Sequence, residues 1–206
     1  MNDHLKLLVS DYIAPLLKKE GFTKHGLVWN RKRDSGVAVF DVQVSEWDTN
    51  SFTFNLGVAV FEVWNIIWDT PATKIIKEAD CFPRFRIGYF LAGGKRLWND
   101  IWYSLEGVED LPTFGQNIQE VIRTHCIPFL RKCKYPDEIF RMYDIPEMWT
   151  YPAERVSYAI SRYLVGDIDR GLGILNDMAK DKKLSYWYEV IEKVPGRLLA
   201  KGNAQK

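Results

Sequence analysis

The chain has 206 residues, 47% of them apolar and 27% charged, the composition of one ordinary globular domain or of a domain with an appendage. Its 28 bases and 27 acids nearly cancel, which argues against a nucleic-acid protein that works by bulk charge. No apolar run approaches the roughly 20 residues of a membrane-spanning helix, and the start Met-Asn-Asp-His-Leu-Lys lacks the apolar core of a secretory signal, so a soluble, cytoplasmic protein is expected. Three cysteines (Cys81, Cys126 and Cys133) are an odd count with no Cys-x-x-Cys pair, which suits reduced thiols.

The first segment carries Leu5, Leu8, Val9, Tyr12, Ile13, Leu16 and Leu17 on one helical stripe. Asn2 or Asp3 can cap it, Gly21 can end it, and Pro15 should bend its last turn. A sheet is expected next. Residues 27–31, Leu-Val-Trp-Asn-Arg, read as a strand, and Asp34-Ser35-Gly36 as a turn. From Val37 to about Trp47, Phe40, Val42 and Val44 alternate with Asp41, Gln43 and Ser45, the signature of one buried and one wet face. A third strand sets Phe52, Phe54, Leu56, Val58 and Val60 against Thr53, Asn55 and Gly57. Its far end, at Ala59, Phe61 and Val63, is apolar on both sides, so that end should be covered twice or meet a partner.

Residues 65–83 give a weak signal, with a short helical piece expected from Ala72 to Ala79. Phe85, Ile87, Tyr89 and Leu91 alternate with Arg84, Arg86 and Gly88 and predict another strand. Leu97 to Leu105 reads equally as strand or helical turn. Asp110 and Pro112 announce a helix, and Ile118, Val121, Ile122, His125, Cys126, Phe129, Leu130 and Cys133 form its stripe, interrupted by Pro128. The pattern predicts an α+β fold: an antiparallel sheet with amphipathic helices packed on one face, in residues 1–133. Residues 134–206 form a helical extension, with helices at Ala153 to Leu164, Ile168 to Lys180 and Leu184 to Val194. A lone helical hairpin cannot bury both its faces, so this extension must dock on the sheet or on a partner.

The order of helix ending in Gly21-Phe22, tryptophan-bearing strand, Asn55-Leu56-Gly57 in the third strand, Arg86-Ile87-Gly88, and a helix ending Pro128-Phe129-Leu130 resembles the bacterial family of domain of unknown function 4304, over about residues 3–133. The resemblance supplies no activity, cofactor or catalytic residue. By analogy with proteins of this kind, it implies a toxin-neutralising, immunity-type or stress-associated role.

Candidate chemistry is sparse. His125, Cys126 and Cys133 could suggest a metal, but Cys126 and Cys133 lie about 10 Å apart along a helix, too far for one zinc. No metal and no cofactor is expected. Glu46, Asp48, Glu62 and Asp69 would have to converge to serve a metal-dependent hydrolase. Arg84, Arg86, Lys95 and Arg96 beside Trp98 could grip phosphate, an acidic protein or single-stranded nucleic acid. Gly93-Gly94-Lys95 lacks the spacing of a phosphate loop. The reading that fits the aromatic content, 8 Trp, 10 Tyr and 11 Phe, is a non-catalytic protein-binding module. It uses the outer face of the sheet and its rim, at Trp47, Trp64, Trp68, Arg84, Arg86 and Arg96, toward a protein partner or a second copy of itself.

Overall fold

The computed structural model describes residues 2–95 and 100–204. An antiparallel sheet of six strands runs β1 (Thr23–His25), β2 (Val28–Arg33), β3 (Gly36–Val44), β4 (Ser51–Val60) and β5 (Arg84–Arg86), with β6 (Tyr103–Ser104) also pairing with β4. The strands, 2 to 10 residues long, bring Val39 opposite Gly57, Asp41 opposite Asn55, and Asn55 opposite Arg86. Helix α1 spans residues 3–19 and α4 spans 111–131. Both cover the face made by Phe40, Val42, Phe52, Phe54, Leu56 and Val58, all buried. The amphipathic stripes therefore land where their periodicity placed them, and the fold is α+β.

The two prolines act differently from a simple kink. In α1 a π-helical stretch, Leu8–Ile13, precedes Pro15; in α4 the stretch Ile122–Cys126 precedes Pro128. A proline ring clashes with the carbonyl four residues back, and a wider turn at that place absorbs the clash. Arg31 lies on the core side of β2, 4% exposed. It donates to the carbonyls of Glu20 and Leu130 at 3.1 and 2.8 Å, so one guanidinium satisfies orphan carbonyls at the C-terminal ends of both covering helices.

The outer face is divided. Its apolar half, Val37, Val39 and Ala59, is roofed by residues 69–82 through Ile76 and Cys81. Asn30 fixes this strap: its Nδ2 donates to the Ile76 carbonyl at 2.9 Å and its Oδ1 accepts the Ile76 N–H at 2.8 Å. Gly57 lets the strap come close, because a Cβ there would stand 2.4 Å from Cys81 Cβ. The polar half, at Asp41, Gln43, Thr53, Asn55, Arg84 and Arg86, is not covered by this apolar layer. Only half of the outer face is thus left over, not the whole of it.

Three local expectations change. The strand expected through Leu91 ends at Arg86 and becomes helix α3 (Ile87–Leu91). A strand would have sent Phe90 to the wet side, whereas the helix packs it 5.3 Å from the Phe129 ring. The helical piece expected at Ala72 to Ala79 is irregular chain with a single 3₁₀ turn, Glu78–Asp80, held by the Asn30 clip. The third strand stops at Val60, and Phe61–Trp68 forms helix α2, which explains why both sides of that segment are apolar.

After α5 (Pro136–Met142) come α6 (Pro152–Leu164), α7 (Ile168–Lys180) and α8 (Tyr188–Ala204). They extend the same core. Phe82 meets Trp149 at 4.8 Å between ring centroids, and Phe85 meets Tyr143 at 4.8 Å. Gly171 allows the α6–α7 hairpin to close, since a Cβ there would stand 2.7 Å from the Ala159 carbonyl oxygen. Arg197 of α8 donates to the carbonyls of Ile66 and Ile67 at 2.8 and 2.7 Å, capping α2, and Lys201 pairs with Glu62. The extension therefore docks on the sheet layer and on α2. No helix among the described residues is long and apolar enough to cross a membrane.

Candidate functional site

The antiparallel register sets Asp41, Asn55 and Arg86 in a row across β3, β4 and β5. Asn55 is 4% exposed. Its Nδ2 donates to Asp41 at 3.0 Å and to Gln43 at 2.9 Å, while its Oδ1 is buried and has no hydrogen-bond partner. Arg86 donates to Gln43 Oε1 at 3.2 Å, pairs with Asp100, and lies 5.5 Å from the Trp102 ring centroid. Gln43, Asn55 and Arg86 form the floor of a cleft of about 390 Å³, walled by Glu78, Arg84, Tyr89, Trp149, Tyr151 and Glu154, and Asp41 stands behind Asn55.

Arg84 spans the cleft wall. Its Nε donates to Glu154 at 2.9 Å and its Nη1 reaches Glu78 at 3.4 Å. Burial opposes the Arg84 charge, but the two carboxylates more than offset that and hold the guanidinium protonated beyond its ordinary range. Burial raises the Glu78 carboxyl above its ordinary value, and the Asp41 charge adds to this despite the opposing pull of Arg84. Burial also raises Asp41, against the hydrogen bond from Asn55.

On the other side of Arg84 lies a second, apolar cavity of about 240 Å³. Trp64, Trp68, Trp187, Val63, Ile67 and Phe82 line it, and Arg84, Tyr151 and Glu154 belong to the walls of both spaces. The three indoles form a chain, Trp64 to Trp68 at 6.3 Å and Trp68 to Trp187 at 5.9 Å. The buried Trp64 indole N–H has no acceptor. An apolar hollow joined to a cleft with a few converging polar groups is the usual shape of a ligand site.

Of the six residues singled out from the sequence, Trp64, Trp68, Arg84 and Arg86 line this groove. Trp47 stands 96% exposed in the turn between β3 and β4 and lines neither space. Arg96, like Trp98, lies outside the described residues. Sequence reading missed Glu78, Tyr151, Glu154 and Trp187 as site residues, because only the docking of the strap and of the extension brings them to β5. Asn55 stood out as a fold marker, and its polar neighbours Asp41 and Gln43 were the available signal.

The remaining candidates separate. Asp48 bonds Ser51 and Asn50 before β4 begins, whereas Glu62 and Asp69 pair with Lys201 and Arg197 beyond its end. A 10-residue strand, roughly 30 Å long, stands between the two sets, so they form no common acid–base or metal site. Cys126 is fully buried, and burial pushes its thiol well above the ordinary range, which suits a core residue and not a nucleophile. Among the described residues, no three His, Cys, Asp or Glu side chains are grouped to hold a metal ion.

A family model described as a domain of unknown function, DUF4304, matches residues 13–132, more than half of the chain. No curated protein and no solved structure matches. The matched segment contains α1 from Ile13 onward, all six strands and α4, and with that match the chain belongs to the DUF4304 family.

Proposed function

We propose that this protein is a non-catalytic binding module that holds an extended segment of a partner protein in the groove. An apolar side chain of the partner fills the cavity between Trp64, Trp68 and Trp187, and a polar neighbour enters the cleft over Asn55. The observation that carries this reading is the shared wall: Arg84, Tyr151 and Glu154 border both spaces, so two adjacent side chains of one segment can be read together. Indoles, here partly buried or exposed, and an arginine at one place are the side chains that dominate protein interfaces.

Selection of random linear peptides on the immobilised full chain tests this. The expected binders share a large apolar residue, shift the indole N–H resonances of Trp68 and Trp187, and bind about tenfold more weakly to Trp68→Ala. Trp68 is 45% exposed, so this variant should fold. Absence of enrichment overturns the proposal, as do binders that lose affinity in Trp47→Ala but not in Trp68→Ala.

A further inference from the structure

We infer that the polar cleft is a seat for a hydrogen-bond-donating cation, the guanidinium or ammonium end of an arginine or lysine side chain. The inference rests on the groove reading for its partner, a protein segment. Its chemistry comes from the cleft itself.

The Asn55 Oδ1 is the first argument. Both protons of the same amide are already given to Asp41 and Gln43, which fixes the orientation and leaves the oxygen as a buried acceptor without a donor. A buried acceptor left empty is costly, and a ligand N–H at this place removes the cost.

Charge is the second argument. Among the described residues that line the cleft, Glu78, Asp100 and Glu154 face Arg84 and Arg86, and Asp41 stands behind Asn55. The lining acids outnumber the lining bases by one, and Asp41 behind Asn55 adds a further carboxylate next to them. Each guanidinium is already engaged by carboxylates, Arg84 by Glu154 and Glu78, Arg86 by Asp100. An anionic ligand would have to displace these, whereas a cation would complete them. Glu78 in particular receives only long contacts from Arg84, at 3.4 and 3.5 Å, and so retains acceptor capacity. Burial holds the carboxyls of Glu78 and Asp41 above their ordinary values, and a cation beside them would favour their charged forms. The rings of Tyr89, Trp149 and Tyr151 also line the cleft, surfaces that attract a cation and shield it from water.

Nuclear magnetic resonance titration of the full chain with blocked amino acids tests the inference. The probes are N-acetyl-arginine methylamide, its lysine counterpart, the neutral citrulline isostere and the anionic glutamate counterpart. The two cations are expected to shift the Asn55 side-chain amide and the β5 backbone signals saturably. Citrulline should bind at least about tenfold more weakly, and Glu78→Gln and Asp41→Asn should each weaken the cations by about tenfold. Trp47→Ala, at a residue lining neither space, should leave these probes unaffected. The inference is overturned if citrulline binds as well as arginine, if the glutamate probe binds more tightly, or if no probe gives a saturable shift because water alone satisfies Asn55. Failure here with peptides still held against Trp68 and Trp187 removes the cation seat and leaves the groove. Cation binding without peptide binding does the reverse.

Discussion

Arg84 Nε donates to Glu154 Oε1 at 2.9 Å, and this bond joins β5, inside the family segment, to α6, outside it. The side chains of the pair are 27% and 10% exposed. The pair is thus sheltered enough for loss of one member to leave an uncompensated charge, and Glu78 makes a second such charge. Arg84→Met is expected to cost about 2–3 kcal/mol at neutral pH, below the range of about 3–5 kcal/mol for a fully buried pair because solvent still reaches the guanidinium. Arg84→Lys should recover part of this, since one ammonium restores the charge but not the two-sided geometry. Urea unfolding of the three proteins decides the point; equal midpoints would mean that the wall between cavity and cleft is not held by this arginine.

The strap over the outer face depends on a missing side chain. In Gly57→Ala the added methyl must displace Cys81, whose Cβ lies 2.4 Å from its position. Overpacking of this kind is expected to cost about 1–3 kcal/mol. The sharper readout is chemical. Cys81 is 4% exposed, and lifting the strap should make its thiol react faster with an alkylating reagent, while Cys126 on the buried face of α4 keeps its protection. Peptide mapping by mass spectrometry distinguishes the two sites, and an unchanged Cys81 rate in the variant would refute the close approach.

The carboxylate behind Asn55 should carry a stability penalty that depends on pH. The native carboxyl of Asp41 titrates above its ordinary value of 3.8 because burial disfavours its charge. Between the ordinary and the native value the folded chain therefore binds more protons than the unfolded chain. Stability from this group falls as pH rises through that window, and the cost is fully present above it. Asp41→Asn, which keeps an oxygen acceptor for the Asn55 amide, should raise the melting temperature at pH 7. The difference should shrink toward nothing as pH falls below 3.8. Melting curves across that range check the sign; an Asp41→Asn protein less stable at pH 7 would contradict it.

The two helical stripes and the three longest strands were legible because each repeats its period over many residues, as in Leu5 to Leu17 and Phe52 to Val60. The polar half of the outer face was legible too, since Asp41, Gln43, Thr53 and Asn55 interrupt strands that are otherwise apolar. What local pattern does not carry is which distant segment comes to rest on a strand. Phe85 and Phe90 look like strand alternation until Phe129 and Trp149 are known to stand beside them. Glu78 and Glu154 look like ordinary solvated acids until the Asn30 clip and the α6 docking bring both to Arg84. The tryptophans were recognised as recognition-type side chains, but Trp187 joins Trp64 and Trp68 only through the packing of the C-terminal helices.

That packing divides the groove between two stretches of chain with different standing. Asn55, Glu78, Arg84, Trp64 and Trp68 come from the segment matched by the family model, whereas Trp149, Tyr151, Glu154 and Trp187 come from residues after it. A chain that kept the first set and carried another tail would present the same anchoring platform beneath a different lid. Ligand preference could then diverge by exchanging terminal helices, with the sheet and its two covering helices left untouched.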